Sequence, residues 1–198
     1  MIICLIAKAG GGKDTAAAFL QKTYNFQSLT IARPIKNCLM SAFNVEESDL
    51  ESDEKDTKVV WVTSDKQYTC RDLMKVVGET FKEKFGLDHW IKLALIRLST
   101  TTNSEGNLQH TVVTDVRFPI ELEKLNEYAA LNQTKLIIVR ITGRGRSGMS
   151  LEHQIGVSEN ALNDVKADYT IDNSGKISEL YAHLDYIVIK NGLSASTK

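Results

Sequence analysis

Apolar and polar positions fall into alternating blocks along this chain, and two periodicities take turns. Residues 2–6, IICLI, are a continuous apolar run too short for a helix, the pattern of a strand buried on both faces. From Thr15 the stretch TAAAFLQKTY changes to helical spacing. FQSLTIA at 26–32 predicts a second strand, and after Pro34 the set Ile35, Cys38, Leu39, Ala42 and Phe43 predicts a helix that the proline opens. The acidic stretch at 46–58 carries no apolar period and reads as a solvated loop or insertion. Thr69 and Asp72 form a helix-start box ahead of Leu73, Val76, Val77 and Phe81, and a further helix from near Asp88 carries Ile91, Ala94, Leu95 and Leu98. Residues 100–107 are a turn-rich connector. HTVVTDV at 110–116 is a β-branched strand ending at Asp115, with a helix opened by Pro119 after it. A strand at 135–143, a Gly- and Arg-rich loop, a short strand at 168–173, a helix with Ile177, Leu180, Tyr181 and Leu184 aligned, and a frayed tail complete the chain.

Strands alternating with helices throughout predict a doubly wound α/β sheet, mostly parallel, whose ligands gather beyond the carboxyl ends of the strands. The 198 residues can bury a sizeable core in one domain, or in one domain with an insertion. Twenty-four basic and 25 acidic residues give a formal net charge of -1, so no global positive field draws the protein to nucleic acid, and any anion site must be local. No segment reaches membrane-spanning length, and MIICLIAKA lacks the basic start and apolar length of a signal peptide. Cys4, Cys38 and Cys70 are odd in number and without zinc spacing, which reads as buried, reduced thiols of a cytoplasmic protein.

Candidate chemistry concentrates at strand ends. LIAKAGGGKDTA at 5–16 approaches the phosphate-loop pattern, with Ala7 where the first Gly belongs and Asp14 where the hydroxyl belongs. Gly10, Gly11 and Gly12 let backbone N–H groups close around an anion, Lys13 adds a charge, and Thr15 offers a hydroxyl one position late. Asp14 either holds Mg²⁺ through water or caps the helix. Asp115 stands where such enzymes place an acid for Mg²⁺ or for the acceptor. Arg117 could grip a phosphate bidentately, with a salt bridge to Glu121 as the plain alternative. Arg144 and Arg146 follow a strand in the mobile Gly-rich segment, where they could swing over a transferring phosphoryl group. Trp61 and Trp90 could stack on a base or belong to the core.

K-A-G-G-G-K-D-T at 8–15, A-R-P-I-K at 32–36, R-D-L-M-K-V-V-G-E at 71–79, T-D-V-R-F-P-I-E at 114–121, S-E at 158–159 and A-D-Y-T-I-D-N at 167–173 together resemble the phage-type deoxynucleoside monophosphate kinases. The resemblance implies a three-layer α/β/α P-loop NTPase fold in one domain, 1–198. It would carry a helical monophosphate-binding insertion at about 33–100 and a lid at about 143–160. It implies transfer of a phosphoryl group from ATP, with Mg²⁺, to deoxynucleoside 5′-monophosphates for DNA precursor supply. Lys8, Gly10, Gly11, Gly12, Lys13, Asp14 and Thr15 would hold the ATP phosphates, Asp14 and Thr15 would face the metal, and Asn173 would approach adenine. Arg33, Lys36, Arg71, Glu79, Trp90, Asp115 and Arg117 would line the monophosphate pocket, and Arg144 and Arg146 would be lid residues. The implied partners are small nucleotides, without nucleic acid or membrane, and the apolar helix faces leave room for a homodimer. Dephospho-coenzyme A or phosphomevalonate kinases and a non-catalytic nucleotide-binding regulator are the competing readings. A G protein is disfavoured, since no N-K-x-D motif occurs.

Overall fold

The apolar run near the start of the chain is β1 (Ile2–Ile6), buried at all five positions as a central strand with helices on both faces requires. It lies in a five-stranded sheet with β2 (Gln27–Leu29), β5 (Thr111–Val113), β6 (Leu136–Thr142) and β7 (Tyr169–Asp172), in the order β2-β5-β1-β6-β7. The structure is a computed structural model that describes residues 1–51, 53–100, 109–143 and 161–194. Every pairing in this sheet is parallel, with Cys4 beside Val113 on one side and Ile138 on the other. The segments that leave β1, β5, β6 and β7 therefore all depart from one edge, and β1, with later strands on each side, is the point where the winding reverses.

Two compact units divide the chain: Met1–Thr30 with Ala94–Lys198, and Ile31–Leu93. In the first, α1 (Lys13–Tyr24) and the final helix, which we label α7 (Ile177–Lys190), cover one face of the sheet. Ala16, Leu20, Leu180, Leu184 and Ile187 pack on Ile3, Val139 and Ile171, the Phe19 and Tyr181 rings stack at 4.3 Å, and the Tyr24 hydroxyl donates to Asp185 at 2.7 Å. The helical period of the 177–190 segment puts these residues on one stripe. α6 (Pro119–Leu131) buries Leu122 and Leu125. The strand expected at 110–116 ends at Val113, which leaves Asp115 in the segment beyond it rather than at the strand end. α1 begins at Lys13, two residues earlier than the apolar spacing suggests, because a helix start carries no period of its own.

The second unit holds α2 (Arg33–Phe43), α3 (Glu47–Glu51), a single 3₁₀ turn (Asp53–Asp56), an antiparallel hairpin of β3 (Val59–Val62) and β4 (Gln67–Thr69), α4 (Cys70–Phe85) and the start of α5 (His89–Ser99). The acidic stretch expected as a loop is thus largely helical. Leu50, only 2% exposed, anchors it in the unit's core, and its carboxylates meet cations on neighbouring helices. The expected box at Thr69 is present: the Asp72 N–H donates to the Thr69 hydroxyl at 3.2 Å, and the Asp72 carboxylate accepts from the Thr69 N–H at 3.0 Å. Hydrogen bonds from the Thr69 backbone and then its hydroxyl hold the Asp72 carboxyl below its ordinary pKa. That contribution is fully present above the ordinary aspartate range and lost as pH falls through the lowered value. Thr69→Ala should cost about 1 kcal/mol in urea unfolding at neutral pH, with the gap to the parent protein narrowing in acid.

Cys4 and Cys70 are buried, Cys38 is half-buried, and all three are free thiols. Burial, and after it the carboxylates of Asp115 and Glu121, pushes the Cys4 thiol far above its usual range. Among the described residues no helix is long and apolar enough to cross a membrane.

Candidate active site

The turn between β1 and α1 takes its shape from glycine. Gly10 and Gly12 sit at φ +75° and +101°, the left-handed region open to glycine at little cost, whereas Ala7 does not, so alanine at the pattern's first position introduces no strain there. The Gly11 N–H donates to the Lys8 carbonyl at 3.0 Å, and the Lys13 ammonium folds back onto the carbonyls of Ala7 (2.5 Å) and Lys8 (3.4 Å). Gly12 is the N-cap of α1, and no side chain caps the helix. An uncapped helix start with its positive dipole end, three glycines and a lysine is an anion receptor by construction. Lys8 and Asp14 are exposed and Thr15 is half-buried. Asn173, only 5% exposed, donates its side-chain amide to the Gly11 carbonyl at 3.1 Å. Expected beside adenine, it is turned toward the loop's own backbone.

After β5, Asp115 is half-buried and Arg117 exposed. One oxygen of Glu121, 5% exposed, accepts the backbone N–H groups of Arg117 (2.7 Å) and Phe118 (3.1 Å). Glu121 thereby fixes the backbone turn that presents Arg117 and satisfies the donors that open α6.

In the second unit, Arg33 and Lys36 stand on the first turn of α2 and Arg71 on the first turn of α4. A cation at a helix N-terminus opposes the dipole, so each invites an anion. Here the anions are internal: Arg33 pairs with Glu47, Lys36 with Glu51 at 2.9 Å and Arg71 with Asp56 at 2.7 Å. Glu47 raises the Arg33 pKa, and Lys36 lowers that of Glu51. These three carboxylates were missed in the sequence; the signal for them is an acidic run following a basic A-R-P-I-K block. Lys58 pairs with Asp49 at 2.6 Å and closes the same segment.

Glu79 is exposed on α4. Trp90, expected among the acceptor's contacts, is a core residue instead: it is 4% exposed, its indole N–H donates to the Gly78 carbonyl at 3.0 Å, and its ring packs on Phe81. The helical period of α5 points it inward, which leaves no open ring face for a base. Trp61 of the hairpin sets an edge contact with Phe43 at 5.3 Å. Arg144, Arg146, the motif at 158–159 and all of the expected lid except Gly143 lie outside the described residues.

A Gly-rich loop with its lysine between the central parallel strand and the first helix, on a sheet of this order, defines a P-loop kinase fold. Solved structures share it along nearly the whole chain. Shikimate kinase from Aquifex aeolicus is 14% identical over 98% of this chain and 99% of its own, with a TM-score of 0.50. TT1252 from Thermus thermophilus is 17% identical over 98% of each chain, at 0.53. The tunicamycin resistance protein of Deinococcus radiodurans is 12% identical over 100% and 98%, at 0.52. At such identities the likeness is one of fold alone, and no curated protein matches in sequence. The deoxynucleotide monophosphate kinase family matches residues 1–56 and 46–184, and the chain belongs to that family. It is a phosphotransferase of the nucleoside monophosphate kinase type.

Proposed function

We propose that the protein transfers the γ-phosphoryl group of ATP to a deoxynucleoside 5′-monophosphate, forming the diphosphate and ADP for DNA precursor supply. The observation that carries this reading is the uncapped, glycine-shaped start of α1 under Lys13, supported by the cations Arg33, Lys36 and Arg71 at two further helix starts. A kinase whose acceptor is itself a phosphate needs two anion receptors, one per substrate. We assign the loop, with Lys8, Gly10, Gly11, Gly12, Lys13 and Thr15, to the donor, and the unit Ile31–Leu93, with Lys36 and Arg71 foremost, to the acceptor.

In the reaction an oxygen of the acceptor phosphate attacks the γ-phosphorus, and the bond from that phosphorus to the β–γ bridging oxygen breaks, leaving ADP. Catalysis is mainly positioning and charge neutralisation. Lys13 follows the charge that builds on the β–γ oxygens, Arg117 steadies the acceptor phosphate, and Asp115 orients the acceptor side. Arg144 and Arg146 supply further positive charge. Asp14 and Thr15 bring hard oxygen donors that suit Mg²⁺. Bound there, the ion would draw further ligands from substrate phosphates and water, as Mg²⁺ does where a protein offers one or two oxygen donors. When bound, Mg²⁺ supplies charge neutralisation to the polyphosphate.

The test is ADP release from ATP and Mg²⁺ with dTMP, dGMP, dCMP, dAMP, their ribose counterparts, dephospho-coenzyme A and phosphomevalonate. Stimulation by deoxynucleotides is the expected result. ATP bound without acceptor-dependent turnover would replace the kinase by a nucleotide sensor.

A further inference from the structure

The Asn173 side chain is almost wholly buried, follows β7 directly and reaches across 162 positions of sequence to one carbonyl of the phosphate loop, that of Gly11. Its fit there is tight. A Cβ on Gly12 would lie 2.5 Å from the Asn173 amide nitrogen, so the amide fills space that only glycine leaves open. The residue is itself clamped. Its backbone N–H donates to the Thr142 carbonyl at 2.9 Å, and the next turn is closed by the Ser174 N–H on the Asp172 carboxylate at 3.0 Å. Gly143 packs so closely beneath it, at φ +90°, that a Cβ there would come within 2.7 Å of the Ser174 nitrogen. An amide fixed by strand ends on two sides and donating to Gly11 cannot also serve a purine base by the same N–H.

We infer that Asn173 is a positioning residue for the phosphate loop: its amide holds the Gly11 carbonyl and so sets the direction of the loop N–H groups toward the donor's phosphates, whatever base those phosphates carry. This rests on the reading of the loop as the triphosphate site. Freed from the amide, the Gly11 peptide gains a rotation that misaims its neighbours, and the loss falls on phosphate binding rather than on base choice.

Asn173→Ala and Asn173→Leu, which nearly keeps the shape, removes the donor and adds no charge, are compared with the parent protein for binding of ATP, GTP and inorganic tripolyphosphate, and for amide exchange at Gly11, Gly12 and Lys13. The expected result is weakening of all three ligands by about tenfold, the scale of one lost hydrogen bond. The ATP-to-GTP ratio should stay unchanged and the loop amides should exchange faster in both variants. If ATP alone weakens while tripolyphosphate is unaffected, Asn173 contacts the base and the inference falls. If Asn173→Leu matches the parent in loop exchange, packing rather than donation is what matters, and the inference also falls. Should the alanine variant not fold, the leucine variant gives both readouts. Lys13→Ala serves as the control for the donor reading. Unchanged tripolyphosphate binding in that variant removes the loop as the triphosphate site, while the exchange data still decide what Asn173 does to Gly11.

Discussion

Lys13→Ala should lower kcat/KM for ATP by about 10²–10³-fold, the range seen when one donor aimed at developing charge is removed from an enclosed site, and leave the fold intact. The stability side follows from what Lys13 touches. Its ammonium bonds the carbonyls of Ala7 and Lys8 on its own loop, in a part-buried to exposed setting where the net loss is about 1 kcal/mol. The core around Ile3, Leu5, Ala16 and Leu20 is untouched. The activity side follows from the same geometry. In the proposed reaction the ammonium would exchange two neutral carbonyls for phosphate oxygens, whose charge grows as the γ-phosphoryl group leaves. Steady-state ADP release with saturating acceptor, together with a thermal melt, reads both. Activity within tenfold of the parent would remove Lys13 from the reaction.

What the sequence discloses and what it hides divide along the range of the interaction. β1, the glycine loop and the Thr69–Asp72 box are visible because each is set by residues within a few positions of one another: an apolar run, a left-handed turn, a reciprocal cap. The hairpin at 59–69 is local as well, since VVWV is rich in β-branched residues and a turn at Thr63 and Lys66 closes it. By contrast, α3 has one apolar anchor and no period, and its ion pairs to Arg33 and Lys36, like that of the following 3₁₀ turn to Arg71, join positions 14 or 15 apart that only the fold brings together. The Asn173–Gly11 bond spans almost the full chain. Trp90 is hidden for another reason: a lone tryptophan looks the same in sequence whether its ring faces a ligand or the core.

Arg71→Ala should raise the KM for the monophosphate by about 10–100-fold, since a hydrogen-bonded contact between a guanidinium and a phosphate contributes about 1.5–3 kcal/mol, with a smaller effect on kcat. The partner that Arg71 now holds sets a second, opposite expectation. Asp56 and Arg71 are each about a quarter exposed, 28% and 23% for the side chains, and a pair in that setting contributes about 1 kcal/mol or less. A phosphate monoester near two negative charges would outcompete one carboxylate for the guanidinium. Asp56→Asn should therefore lower the KM by about fivefold at most. Acceptor titrations at fixed saturating ATP measure both. A large rise for Arg71→Ala with a small fall for Asp56→Asn is the pattern of a guanidinium that changes partners when substrate arrives. Equal rises in both variants would mean that Asp56 holds the arginine in place for the substrate, and the carboxylate would then belong to the binding site rather than compete with it.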